Sequence, residues 1–343
     1  MVKIRFNGHT YECDPKQSVL DVLTAQGAPI PSSCRNGICQ TCLMQAVEGV
    51  PPPPSQNGLK DTLKQQHYFL ACACYPQVDL TVALPDQIQT RAKAIVRGID
   101  VLNSDIVRVR LHCPVPLDYR AGQFINLFCD DTLLRSYSLA SVPGSDADLH
   151  LHVRRLAHGR VSTWVHDELR SGDEVYISAA RGACFYVPGD DQQGLLLVGT
   201  GTGLAPLYGI LRDALKQGHR GPIKLYHGSR TAQELYLVNE LRELTARHPN
   251  FAYIPCVSGA DVPPGFTLGR ANTTALTETP NLVGWRSYLC GNPDMVNASK
   301  KQVFLAGASM KDIYADPFVL SDTAVTPLTI HQTRGSGRRH GLR

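Results

Sequence analysis

The sequence predicts a multidomain chain that joins α+β and α/β architecture, and three observations carry that prediction. At 343 residues the chain exceeds what one hydrophobic core usually organises. From about Arg91 apolar and polar residues alternate along short runs, as in Val107/Val109/Leu111 and Leu149/Leu151/Val153, with Gly and Pro between the runs. That is the pattern of an antiparallel barrel. Beyond about Asp191 short apolar runs (195–198, 223–226, 288–289) alternate with helical stretches, which argues for a parallel sheet built from strand–helix–strand units.

The elements follow in order. An alternating strand is expected at 3–6, and the proline run at 51–54 is expected to be a stiff extended loop. Punctuation at Leu84-Pro85-Asp86, at Val187-Pro188-Gly189-Asp190-Asp191 and after Phe318 divides the chain into units at 1–88, 89–190 and 191–320, with a tail at 321–343. A helix is expected from Gly159 to Leu169 with Ser162 as its N-cap, and another where Leu207, Ile210, Leu211, Ala214 and Leu215 follow the helical template. No internal repeat is visible.

Composition narrows the function. The N-terminus alternates and lacks the order of a signal peptide, and no window approaches the roughly 18 apolar residues of a membrane span, so a cytoplasmic protein without a membrane role is expected. The net charge is +4, but the tail holds four arginines against Asp322 and accounts for +3 of it. Basic residues do not cluster with aromatics along any element, which argues against nucleic acid as a partner. Without apolar periodicity, the tail is expected to be disordered.

Eleven cysteines is a high, odd count for a cytosolic chain, where disulfides are rare, so metal ligation is the first reading. Six lie in the first unit. Cys34, Cys39 and Cys42, followed by Cys72 after twenty-nine intervening residues, have C-x4-C-x2-C…C spacing, which suits a [2Fe–2S] cluster needing four thiolates. Gly37 fits a loop that bends sharply and turns backbone N–H groups toward sulfur. Zinc sites favour paired C-x2–4-C knuckles, and only Cys39/Cys42 forms one. Spacing alone leaves Cys74 as a rival to Cys72. From Val2 to about Leu84 the chain resembles plant-type ferredoxins, which implies a β-grasp fold. The resemblance implies Cys72 as the fourth ligand, because the last ligand of that family stands four residues before a proline, here Pro76.

Arg135-Ser-Tyr137-Ser138 resembles the R-x-Y-[ST] flavin motif of the ferredoxin–NADP reductase superfamily. An arginine supplies forked donors for a phosphate, a tyrosine packs on the isoalloxazine, and a hydroxyl bonds flavin N5. The helix opened by Gly159 and Ser162 resembles the G-x-x-[ST] element that holds the flavin phosphates, and a helix start with free N–H groups suits an anion. The resemblance implies an antiparallel flavin-binding β-barrel, and FAD rather than FMN because the ferredoxin comes first. His150 and His152, two apart on a strand, are expected to face water rather than chelate a metal.

Gly199, Gly201 and Gly203 between an apolar strand and Pro206 form a turn over which a backbone approaches a pyrophosphate. Leu204 stands where a Rossmann fingerprint has its third glycine. The turn resembles the G-T-G-x-x-P of the same superfamily, and Cys290-Gly291-Asn292-Pro293 resembles its C-G-x-P, whose cysteine lies beside the nicotinamide. Tyr314-Ala-Asp316-Pro-Phe318 resembles the family's close, where a near-terminal aromatic or acid approaches the flavin, and Phe318 is the aromatic it implies. Members that use NADPH often carry Ser-Arg after the strand Phe251–Val257; here Ser258-Gly259 follows, so NADH is expected, with Arg230 as the residue that would assist NADPH.

Over about residues 2–319 the chain is similar to the NADH-dependent reductase component of bacterial multicomponent oxygenases. The resemblance implies FAD, a [2Fe–2S] cluster, NADH and a terminal oxygenase or other electron-acceptor protein. Two other readings are a reductase of the same architecture serving a deoxysugar dehydrase, and an electron-carrier module whose reductase half is inactive.

Overall fold

The computed structural model describes residues 1–32, 34–37, 40–85, 91–130 and 133–319. Cys39 and the tail expected at 321–343 lie outside the described residues.

In the first unit β1 (Val2–Phe6) and β2 (His9–Cys13) form a hairpin across Asn7 and Gly8, whose φ angles of 50° and 79° suit the turn that matches strand twist. Then come α1 (Val19–Ala25), β3 (Leu43–Glu48), α2 (Asp61–Gln65), β4 (Tyr68–Leu70) and β5 (Leu80–Ala83). Ser18 caps α1 by accepting the Asp21 N–H at 3.1 Å. The sheet order is β2-β1-β5-β3-β4, with β1 and β5 parallel and the other pairs antiparallel. Ile4, Leu20, Leu23, Met44, Phe69 and Leu80 fill its core. The proline run is extended only in its first half: Pro52 holds φ −63° and ψ 138°, but Pro53–Gln56 is a 3-10 turn, because proline suits a first helical position and Ser55 bonds Pro52 O through both its N–H and its hydroxyl.

The second unit contains β6 (Arg91–Val101), β7 (Ile106–His112), β8 (Phe124–Phe128), β9 (Leu134–Ser138), β10 (Leu149–Arg154), α3 (Arg160–Asp167) and β11 (Glu174–Ser178). Its six strands run antiparallel in the order β10-β7-β6-β11-β8-β9. A Leu139–Leu151 bridge joins the end of β9 to β10, closing the sheet around Val109, Leu111, Ile125, Leu127 and Ile177. Two expectations are corrected here. The N-cap of α3 is Gly159, with Ser162 inside the first turn, its hydroxyl donating to Gly159 O at 2.9 Å. His152 is buried rather than solvated, bonded through Nδ1 to Tyr236 Oη at 3.1 Å, and burial lowers its pKa to about 3.

The third unit is a parallel sheet of β12 (Leu195–Thr200), β13 (Ile223–Ser229), β14 (Phe251–Val257), β15 (Thr267–Leu268), β16 (Arg286–Gly291) and β17 (Ile313–Pro317). Their order is β15-β14-β13-β12-β16-β17. The helices α4 (Leu204–Lys216), α5 (Val238–Arg247), α6 (Ala271–Glu278) and α7 (Pro293–Leu305) connect them, and two apolar cores are packed against the sheet. The chain builds outward from β12 through β13 and β14, then returns to place β16 on the other side. That reversal opens a crevice at the carboxyl ends of β12 and β16, where ligands of such sheets bind.

The units are fastened to one another. Arg212 of α4 grips Asp146 of the barrel with two bonds of 2.8 and 2.9 Å, and Asn103 Nδ2 donates to Glu234 O at 2.9 Å. From the first unit, Lys60 Nζ donates to Ile313 O and stands 4.6 Å over the Tyr314 ring, while Gln66 bonds Gly182 O and Gln123 at 3.1 and 2.9 Å. No helix among the described residues is long and apolar enough to cross a membrane.

Candidate functional site

The first cluster of chemistry lies where the loop before β3 meets the segment after β4. The Cys72 thiol bonds that of Cys42, takes the Gly37 N–H and lies within electrostatic reach of Cys34; burial and then Cys42 push its pKa up to about 11. Asn36 N–H points at Cys34 Sγ, 3.4 Å away. Gly37 holds φ +72°, and a Cβ there would sit 3.6 Å from Ala73, so the loop lies against the Cys72 segment. Cys74 faces elsewhere: it is fully buried beside Ser55 and Cys13, and burial drives its thiol to about 12. Three thiols with backbone N–H groups aimed at sulfur fit a thiolate-held iron–sulfur centre, since those donors offset thiolate charge.

The second cluster lies where barrel and parallel sheet meet. β9 carries Arg135, Tyr137 and Ser138, with Ser138 paired to Phe124 of β8. Burial pushes the Tyr137 phenol well above its ordinary range. Ser138 is 7% exposed, and its side chain bonds that of Asp316. Burial drives the Asp316 carboxyl up to about 6, opposed by the Ser138 bond. In the ladder Asp316 is paired with Cys290, and Cys290 with Gly199, so three expected or neighbouring site groups share one edge of the sheet. Beside them a cavity of about 240 Å³ is lined by Lys60, Gly122, Phe124, Cys184, Tyr314 and Asp316. A second cavity, of about 390 Å³, lies at the start of α3 between His158, Arg160, Thr163, Trp164 and Cys129. Gly159 and Ser162 are in contact there: a Cβ on Gly159 would fall 2.4 Å from the Ser162 hydroxyl.

The glycine turn is set by close approach. A Cβ on Gly203 would lie 2.3 Å from Cys290 O, so only glycine lets α4 start this near β16. Gly201 holds φ +53° with the Arg154 guanidinium 3.8 Å from its Cβ position, and Pro206 sits in the first turn of α4, where its missing N–H has no helical partner. Gly291 and Phe318 are joined by a 2.8 Å bond from Phe318 N–H to Gly291 O. Arg230 is exposed at the end of β13, its carbonyl accepting the Gly259 N–H at 2.9 Å.

Three domain families match: a 2Fe-2S iron-sulfur cluster binding domain over residues 2–77, an oxidoreductase FAD-binding domain over 93–186 and an oxidoreductase NAD-binding domain over 197–301. The chain is 35% identical over 307 residues, 88% of its length and 93% of the relative's, to the ferredoxin–NAD(P)+ reductase component of the naphthalene 1,2-dioxygenase/salicylate 5-hydroxylase systems of Ralstonia sp. It belongs to the ferredoxin–NAD(P)+ reductase components of oxygenase systems. The reductase component of the Pseudomonas putida naphthalene 1,2-dioxygenase system is 33% identical to this reductase over 88% of the chain and 93% of the relative. The crystal structure of an Amycolatopsis cytochrome P450 reductase superposes with a TM-score of 0.65 at 30% identity, covering 93% of this chain and 99% of that one.

The reductase thus combines [2Fe–2S]-, FAD- and NAD-binding domains in one chain. Sequence reading missed several residues of its site. The sequence offers Asp316 only as the near-terminal acid of the family's close, and its pairing with Cys290 and its reach to Ser138 come from the fold. Lys60 and Cys184 come from distant segments that only folding brings to the cavity. Arg160 and Thr163 were legible, since they flank the helix start already singled out.

Proposed function

We propose that this reductase takes a hydride from NADH onto FAD and passes electrons singly through its [2Fe–2S] cluster to a terminal oxygenase. The observation that carries the proposal is the meeting of Ser138, Asp316 and Cys290 at the seam of three units, with Lys60 of the cluster-bearing unit reaching the same cavity. When bound, the flavin accepts electrons in a pair and releases them one at a time, and the cluster carries single electrons.

In this reading Arg135 would hold the flavin phosphate, Tyr137 would pack on the ring, and Ser138 would offer its hydroxyl to flavin N5. Gly159 and Ser162 shape the start of α3, with Arg160 as a further cation beside the pyrophosphate. The carboxyl of Asp316, titrating at about 6, takes up a proton beside the Ser138 hydroxyl as pH falls and gives it up as pH rises. Gly199, Gly201, Gly203 and Pro206 form the pyrophosphate turn, and Cys290 and Gly291 flank the nicotinamide, with Phe318 next to them. Cys34, Cys39, Cys42 and Cys72 hold the cluster. The domain bounds are 1–88, 89–190 and 191–320. Glycine at 259 leaves a 2′-phosphate without a forked partner on that strand, which favours NADH over NADPH, with Arg230 a cation beside it.

The test separates the two cofactors. Cys72→Ser should lose most of the iron–sulfur absorbance and NADH-driven cytochrome c reduction while keeping NADH-driven ferricyanide reduction. Cys74→Ser should retain all three. Cluster loss in Cys74→Ser with retention in Cys72→Ser would overturn the ligand assignment.

A further inference from the structure

Cys184 has no part in the chemistry above, yet its sulfur lies 3.7 Å from that of Cys290, close enough for one thiol to donate to the other. The two come from separate parts of the chain, Cys184 from the segment linking β11 to β12 and Cys290 from β16. Both are buried, and neither belongs to the cluster loop. Their environments differ. Cys290 is fully enclosed, paired with Gly199 and Asp316, and burial holds its thiol in the protonated form. Cys184 is 7% exposed and lines the cavity of about 240 Å³ that also reaches Asp316. A small neutral oxidant entering that cavity therefore meets Cys184 first.

We propose that Cys184 and Cys290 form a dithiol site for hydrogen peroxide, and that the resulting disulfide draws Cys290 off the nicotinamide position and blocks NADH. The gating half rests on the reading of Cys290 given above. In the first step the Cys184 sulfur attacks peroxide, the O–O bond breaks, and Cys184 becomes a sulfenic acid with release of one water. In the second, the Cys290 sulfur attacks the Cys184 sulfur, the S–O bond breaks, and the thiol proton leaves with the hydroxide as a second water. Two thiols are oxidised and one peroxide is reduced. Closure takes the sulfurs from 3.7 Å to about 2.0 Å, a shift within reach of side-chain rotation and small backbone adjustment.

The holoenzyme is treated with hydrogen peroxide, quenched with catalase, and split between peptide mapping after thiol blocking and NADH–ferricyanide assays, each rate taken relative to the same protein untreated. The proposal expects a Cys184–Cys290 linked peptide, a rate that falls in proportion to the linked fraction with flavin retained, and recovery with dithiothreitol. Cys184→Ser and Cys184→Ala should each keep their own untreated rate after the same exposure. Absence of the linked peptide, or an equal fall in both variants, would overturn it. A linked peptide with an undiminished NADH rate would overturn the gating and, separately, the placing of Cys290 beside the nicotinamide.

Discussion

Asp316→Asn should make the reductase more stable at neutral pH and slower. The carboxyl is held at about 6, against an ordinary value of 3.8, because burial penalises its charge. An unfolded chain gives up this proton near 3.8, whereas the folded one keeps it until about 6, so between those values the folded state binds more protons. Stability contributed by this group is complete at low pH and is lost as pH rises through about 6. The gap of roughly two pKa units corresponds to ~3 kcal/mol, an upper bound because asparagine must re-form the Ser138 bond through an amide. At ~2–4 °C per kcal/mol for a unit of this size, the variant should melt several degrees higher above pH 7. The gain should shrink steadily as pH falls toward 4. The assay is thermal unfolding of wild type and variant across that range, in parallel with NADH–ferricyanide rates. A variant less stable than wild type at pH 7.5, or a Tm difference independent of pH, would show that the buried charge of Asp316 does not destabilise the fold.

Two further predictions concern the seams. Lys60→Ala removes a bond to Ile313 O and a cation 4.6 Å over Tyr314, together worth about 1–3 kcal/mol of docking, so the ratio of cytochrome c to ferricyanide reduction should fall several-fold; an unchanged ratio would mean that Lys60 does not position the cluster-bearing unit. In kcat/KM the wild type should favour NADH over NADPH, and Arg230→Ala should widen that preference by removing residual NADPH use. Ser258→Arg is the variant that should narrow it, since any side chain at Gly259 would meet Arg230 O at 2.6 Å. Preference for NADPH in the wild type would make Arg230 the phosphate partner.

Much of this architecture was written in local patterns. Alternation at Val107/Val109/Leu111 is strand β7, the apolar run beginning at Leu195 is β12, and the Gly199–Pro206 punctuation is a strand end, a turn and a helix start. Such patterns are legible because burial on one face or on both imposes a period on the sequence. The proline run misled because proline stiffens a 3-10 turn as readily as an extended loop, and spacing does not distinguish them. Ser162 misled because a hydroxyl one turn into a helix looks in sequence like its cap. His152 was assigned to water since alternation tells which residues share a face, while the Tyr236 that covers this one arrives from another unit. Lys60 and Cys184 were invisible for the same reason, and Asp316 was legible only as the family's near-terminal acid: their positions are products of tertiary register and of docking between units.

Electrons should reach the flavin before the cluster, and anaerobic rapid mixing of the holoenzyme with NADH resolves that order. With flavin and iron–sulfur absorbance followed together, the flavin signal should bleach first and the iron–sulfur signal should follow, while Cys72→Ser should show the first phase alone. Reduction of the iron–sulfur signal without a preceding flavin phase, or a bleached flavin that never reduces the cluster, would rule out transfer from NADH through the flavin to the cluster.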